Sequence, residues 1–126
     1  MVVERKDKMD WNLDDSRPIW PQIKDKLMQD IIAGVYPMGS SFPTVRELAA
    51  EAQVNRNTMQ RALSDLETEG LVITNRTAGR VVTTDQKLIE LKKLELARAN
   101  IHNFLDMMES LGYDAEATIK LMKEER

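Results

Sequence analysis

From Ile19 to Gly34 the chain reads IWPQIKDKLMQDIIAG, and Ile23, Leu27 and Ile31 recur at every fourth position. That spacing puts branched aliphatic side chains on one face of a helix and so predicts one. Pro21 suits its first turn, where a missing N–H costs nothing, and Gly34 supplies the stop. VYPMGSSFP follows, punctuated by Pro37, Gly39 and Pro43, and reads as a loop. In TVRELAAEAQV, Thr44 with Glu47 three residues on makes a capping box, so a short helix is expected over 45–52. Asn55 is placed to cap a further helix ending before Gly70. Within that helix Met59, Ala62, Leu63 and Leu66 stand at i, i+3, i+4 and i+7, a stripe to be buried. LVIT and RVVTT are short β-rich runs joined by NRTAG, which predicts a hairpin.

The pattern changes after the hairpin. Leu91, Leu94, Ala97, Ile101, Leu105, Met108 and Leu111 alternate three and four residues apart, a coiled-coil-like seam on one long helix over 86–111. Gly112 ends it, and Asp114 caps a last helix carrying Ala115, Ile119 and Met122 on one face. Two helices back to back cannot bury a stripe of that length, so the seam calls for a partner, most simply a second copy of this chain. Residues 1–18 have no clear period; Trp11 and Leu13 alternate with polar neighbours, as in a short strand or an arm against the core. The expected organisation is an arm over 1–18, a winged helix-turn-helix over 19–84 and a helical dimerisation tail over 85–126. The fold class is mainly α with a small β-hairpin, the winged domain being followed by a C-terminal helical hairpin.

Composition narrows the function. At 126 residues with 42% hydrophobic and 31% charged positions, the chain is one ordinary domain or a small domain with an appendage. It has no cysteine, which excludes disulfides and thiolate metal sites. The opening MVVERKDKMDW lacks the apolar core of a secretory signal, and nothing approaches a membrane span, so a cytoplasmic protein is expected.

A net charge of −3 argues against a nucleic-acid partner until its distribution is followed. Residues 44–84 carry five basic and five acidic groups, but in different places. Ala52 to Ser64 contains no carboxylate, while Arg56, Arg61, Asn55, Asn57, Gln53, Gln60 and Thr58 crowd together there. Asp65, Glu67 and Glu69 come only in the later turns. At about 100° per residue, Asn57, Gln60, Arg61 and Ser64 face away from the apolar stripe, with Arg56 in the first turn. A helix in the DNA major groove reads base edges with its early residues, Arg suiting guanine and Asn or Gln suiting adenine. Arg76 and Arg80 flank the hairpin tip, a position suited to a phosphate path or the minor groove.

GVYPMGSSFPTVRELAAEAQVNRNTMQRALSDLETEGLV, followed by AGRVV, resembles the DNA-binding domain of GntR-type bacterial repressors. Their pattern runs G-x-Y-x-x-G-x-x-L-P-S-x-R-E-L-A, then V-[ST/N]-R-x-T-V and L-E-x-E-G-L, ending in G-x-G-T-F-V. RPIWPQIKDKL and the short two-helix tail resemble the YtrA-like subfamily, which lacks a large effector domain. By this resemblance Arg46 contacts DNA near the start of its helix. Asn55, Arg56, Asn57, Thr58 and Gln60 match turn and recognition-helix contacts, and Gly79 matches the wing-tip glycine. The sequence departs from the pattern at Thr44, which replaces serine and still caps, at Thr77 in place of a wing glycine, and at Arg80 and Val81 in place of Thr-Phe. The candidate DNA-binding set is thus Thr44, Arg46, Asn55, Arg56, Asn57, Thr58, Gln60, Arg61, Arg76, Gly79 and Arg80.

The expected function is a dimeric repressor on a near-palindromic operator, with its recognition helix, about 55–69, in the major groove and its wing, 75–80, on the backbone or minor groove. The competing reading is a protein-interaction adaptor using a winged fold and a coiled-coil-like tail. An enzyme is the weakest class. His102 is the single histidine, and with Asp106 at i+4 it makes only two ligands, so neither a nucleophile–base pair nor a metal site can be assembled and no cofactor is expected. His102 reads as structural, Met107, Met108 and Met122 as interface packing, and Trp11 and Trp20 as core or arm anchors. The expected partners are double-stranded DNA and a second copy of the chain, with no membrane. A small-molecule effector is left open, its pocket lying between protomers or beside TTDQK.

Overall fold

The computed structural model describes residues 11–77 and 79–125. The expected first helix is α1 (Ile19–Ile32), and its Ile23, Leu27 and Ile31 are all buried. It closes where Gly34 takes φ +83°. That left-handed residue lets Gly34 N donate to Ile31 O at 3.1 Å and Val35 N to Asp30 O at 2.9 Å, satisfying carbonyls that the helix leaves over.

The capping box forms as expected at α2 (Val45–Ala52). Glu47 N donates to Thr44 Oγ1 at 3.1 Å, and Thr44 N donates to Glu47 Oε1 at 2.9 Å. The hydrogen bond from the Thr44 amide holds the Glu47 carboxyl below the ordinary glutamate range. Gln53 turns the chain with φ 58°, Val54 N donating back to Ala49 O at 3.0 Å. α3 (Arg56–Thr68) then starts from Asn55, whose side-chain oxygen accepts from Asn57 N at 2.6 Å. Met59, Ala62, Leu63 and Leu66 are fully buried, so the stripe faces the core.

The hairpin is β1 (Val72–Asn75) and β2 (Gly79–Val82), antiparallel with Val72 opposite Val82 and Asn75 opposite Gly79. One feature has no counterpart in the pattern. Ser41 bridges to Val81, Phe42 N donates to Arg80 O at 2.8 Å, and Val82 N donates to Ser40 O at 2.9 Å. The segment read as a loop thus gives the hairpin a third lane. A single bridging residue has no period to betray it; what draws it in is the buried pair Tyr36 and Phe42, ring centroids 4.9 Å apart.

α1, α2, α3 and the hairpin share one core, where each fully buried Leu, Ile or Met is worth about 1.5–3 kcal/mol. Trp11 belongs to it as well, and residues 11–18 form turns and no strand. The rest of the expected arm, residues 1–10, lies outside the described residues.

The chain divides into two compact units, one ending at Glu90 and one beginning at Leu91. α4 (Gln86–Ser110) starts in the first unit, where Ile89 is buried in the core. Its entry is fastened by side chains: Thr83 Oγ1 accepts from Asp85 N at 3.0 Å, and Asp85 Oδ1 accepts from Leu88 N at 3.1 Å. In the second unit Gly112 stops α4, Asp114 accepts from Ala117 N at 2.8 Å, and α5 (Ala115–Glu124) follows. Among the described residues no helix is long and apolar enough to cross a membrane.

Candidate nucleic-acid interface

The helix-turn-helix exposes the first half of α3. Arg56, Asn57 and Gln60 are exposed on it, Thr58 is half-buried, and no acid lies between Arg56 and Ser64. Gln60 Nε2 donates to Ser64 Oγ at 3.0 Å, which lays that side chain along the helix. Asn55 serves as the cap through its oxygen. Arg46, in the first turn of α2, is exposed and has no ion pair among the described residues, although Glu47 stands next to it. Arg56 and Arg76 are likewise exposed and free of ion pairs.

The acids of the later turns are not open to solvent as free charges. Lys24 of α1 pairs with Asp65 at 2.8 Å and with Glu69. Partial burial pulls the Lys24 ammonium down, while its hydrogen bonds to Asp65 and Glu69 and their charges push it up; the net direction is up. Glu67 pairs with Arg80, Nε to Oε1 at 3.4 Å, and accepts from Thr74 Oγ1. So the carboxylates that interrupt the basic surface are each matched to a cation from a neighbouring element.

Two of the sequence-predicted contacts are already engaged within the chain. The Arg61 guanidinium carbon lies 4.4 Å from the centroid of the Trp20 ring, a cation–π stack across α1 and α3. Arg80 is held by Glu67, as above. The wing turn is shaped by Asn75 Oδ1, which accepts from Thr77 N and Thr77 Oγ1, both at 2.9 Å, and by Gly79 at φ +74°. Thr44, Gly79 and Arg80 come together as walls of one cleft of about 270 Å³ between the start of α2 and the hairpin. Sequence reasoning passes over Lys24, and it reads Trp20 only as a core or arm anchor and Glu67 only as an acid of the later turns. A signal existed for Lys24, because Asp65 in the last turns of α3 and Glu69 at its C-cap are spaced i, i+4 and make an acidic pair that calls for a cation.

A capped helix-turn-helix, a third helix with a carboxylate-free leading half, and a hairpin bearing arginine at its tip together define a winged helix-turn-helix DNA-binding protein. The pattern of "Bacterial regulatory proteins, gntR family" matches residues 21–82. The chain is 31% identical over 115 residues to the uncharacterized HTH-type transcriptional regulator YhcF of Bacillus subtilis, covering 91% of this chain and 95% of that one. It is 27% identical to the HTH-type transcriptional repressor YtrA of the same organism, over 86% of this chain and 85% of YtrA. The solved structure of a GntR family transcriptional regulator from Listeria monocytogenes superposes with a TM-score of 0.80 at 36% identity, covering 89% of this chain and 98% of that one. The chain belongs to the GntR family of DNA-binding transcriptional regulators, and YtrA- and YhcF-type regulators are among its relatives.

Proposed function

We propose that this regulator is a repressor that binds a near-palindromic operator as a homodimer. Residues 19–84 form the reading head, and residues 85–126 join two copies through Leu91, Leu94, Ala97, Ile101, Leu105, Met108 and Leu111. The leading half of α3 enters the major groove, Arg56 taking guanine and Asn57 or Gln60 taking adenine. Thr44, Arg46 and Asn55 flank that helix on the backbone side, Thr58 supports it, and the wing with Arg76 and Gly79 follows a phosphate path or the minor groove. The protein acts in the cytoplasm by binding rather than by catalysis. The name of YtrA, a repressor over nearly the same length, supports the sign of regulation.

The observation that carries this reading is the charge arrangement of α3. Its first half presents basic, amide and hydroxyl side chains and no acid, and its later acids are neutralised by Lys24 and Arg80. A helix built that way meets phosphate without repulsion although the whole chain is acidic.

The test is fluorescence anisotropy across a salt series on DNA from immediately upstream of the protein's own gene, with a scrambled duplex beside it. Wild type binds the upstream DNA tightly and in a salt-dependent way, and Arg56→Ala loses about 1–3 kcal/mol of operator affinity while non-specific binding changes little. Equal binding of both duplexes by wild type and variant would refute sequence reading by α3.

A further inference from the structure

Arg80 sits on β2 directly opposite Thr74 on β1. One carboxylate holds both members of that cross-strand pair: Glu67 Oε1 lies 3.4 Å from Arg80 Nε, and Glu67 Oε2 accepts from Thr74 Oγ1. Glu67 belongs to the last turn of α3, so the contact joins the recognition helix to the base of the wing. The Arg80 side chain is only 20% exposed, and that of Glu67 only 35%. For Arg80 to reach a phosphate it would have to abandon Glu67, leaving an unmatched carboxylate beside the DNA backbone. Arg76 is in the opposite situation, exposed on the turn and without an ion pair among the described residues.

We infer that Arg80 is a positioning residue and not a phosphate contact: with Glu67 and Thr74 it clamps the wing to the recognition helix and so sets where Arg76 meets the DNA. The inference rests on the DNA-binding reading above. Arg76 lies two residues beyond Thr74, a lever of about 7 Å at the rise of a strand. A hairpin free to tilt at its base would spread the tip over several phosphate positions, and ordering it on the operator would cost affinity. Fixed at its base, helix and tip act as one surface. The clamp therefore adds to discrimination between operator and other DNA, whereas a phosphate contact adds to both alike.

The experiment uses the full chain and two duplexes: the tightest binder that wild type selects from a random-sequence library, and a scrambled version. Affinities are followed over salt for wild type, Arg56→Ala, Arg76→Gln, Arg80→Gln, Glu67→Gln and the Glu67→Gln/Arg80→Gln double variant. Arg76→Gln lowers the salt slope by about 0.9 per protomer on the DNA, as the loss of one phosphate contact should. Arg80→Gln weakens the selected duplex by about threefold to tenfold, the size of one partly covered charged pair, and leaves the slope and the scrambled duplex unchanged. Glu67→Gln reproduces Arg80→Gln, and the double variant is no worse than either single one. A drop in slope for Arg80→Gln matching that for Arg76→Gln would overturn the clamp, as would tighter binding with a steeper slope in Glu67→Gln. Hydrogen exchange on the free protein checks the same point without DNA: Glu67→Gln speeds exchange in β1 and β2 and not in α1. Unchanged hairpin protection also overturns the clamp. If wild type selects no duplex, or Arg56→Ala binds as wild type does, the DNA reading itself falls and takes the clamp with it.

Discussion

Asn55 holds two positions at once. Its oxygen accepts from Asn57 N and so caps α3, while the rest of its carboxamide is exposed beside Arg56. The two roles separate by substitution. Asn55→Ser keeps a capping oxygen and removes the carboxamide N–H donors, so the melting temperature stays near wild type while operator affinity falls. Asn55→Ala loses both, costing about 1 kcal/mol of stability and lowering the melting temperature by roughly 4–8 °C. Thermal melts beside anisotropy read the difference; equal operator binding by Asn55→Ser and wild type would leave Asn55 a cap only. At this scale the sequence revealed what composition can carry. A run without acids from Ala52 to Ser64 is legible as a surface, and the exposure of Arg56, Asn57 and Gln60 agrees with it. The fates of Arg61 and Arg80 were not legible. Trp20 lies 41 positions from Arg61 and Glu67 lies 13 from Arg80, and contacts between elements leave no mark in a periodic pattern.

Helices and hairpin were legible because each is announced locally: a cap residue, a repeated apolar spacing, a glycine that can take positive φ. How they lock together was not, and the strap between α1 and α3 is the clearest case. Lys24, whose side chain is 17% exposed, holds Asp65 and Glu69 while Arg61 stacks on Trp20 one turn away. The strap has a pH signature whose sign follows from the direction of the Lys24 shift. Its folded pKa is raised above the ordinary lysine value, so the folded state favours the proton. The contribution is complete below about pH 10.4 and is lost as pH rises through the folded pKa. Denaturant unfolding from pH 8 upward should therefore show stability falling in the alkaline range, with Lys24→Met flattening that dependence. At neutral pH the substitution costs about 1 kcal/mol, since one side of the strap remains partly in water. A variant with the same alkaline slope as wild type would remove the strap from the account. The unit boundary between Glu90 and Leu91 was not visible in the residue pattern either, because α4 is periodic straight through it and what binds its first turn is Thr83, Asp85 and the buried Ile89.

In the unit that begins at Leu91, the described residues bury little. Leu91, Leu94, Ile101 and Leu111 are 51%, 48%, 56% and 70% exposed, and Phe104, Met107, Ile119 and Met122 add to the apolar surface. Leu105 and Met108 of the expected seam are half-buried, while Phe104 and Met107, which the three-four spacing skipped, are exposed. The apolar face is thus broader than a two-stranded seam requires. An apolar surface of that size in water calls for a partner, and in the proposed homodimer a second copy covers it with the same residues from both sides. The proposed dimer would set its two heads on half-sites one helical turn apart, roughly 34 Å, the second head binding at an effective concentration set by the link. Ile101→Glu places a charge in the middle of that face, far in sequence from every residue proposed to meet DNA. It should yield single chains by light scattering and weaken the full operator about 10²–10⁴-fold, while a half-site duplex is bound as wild type binds it. If Ile101→Glu stays dimeric and Met107→Glu dissociates instead, the contact runs along the Phe104–Met107 side of α4. If wild type itself scatters as a single chain at micromolar concentration and still binds the operator tightly, the heads act alone and the apolar tail serves another partner.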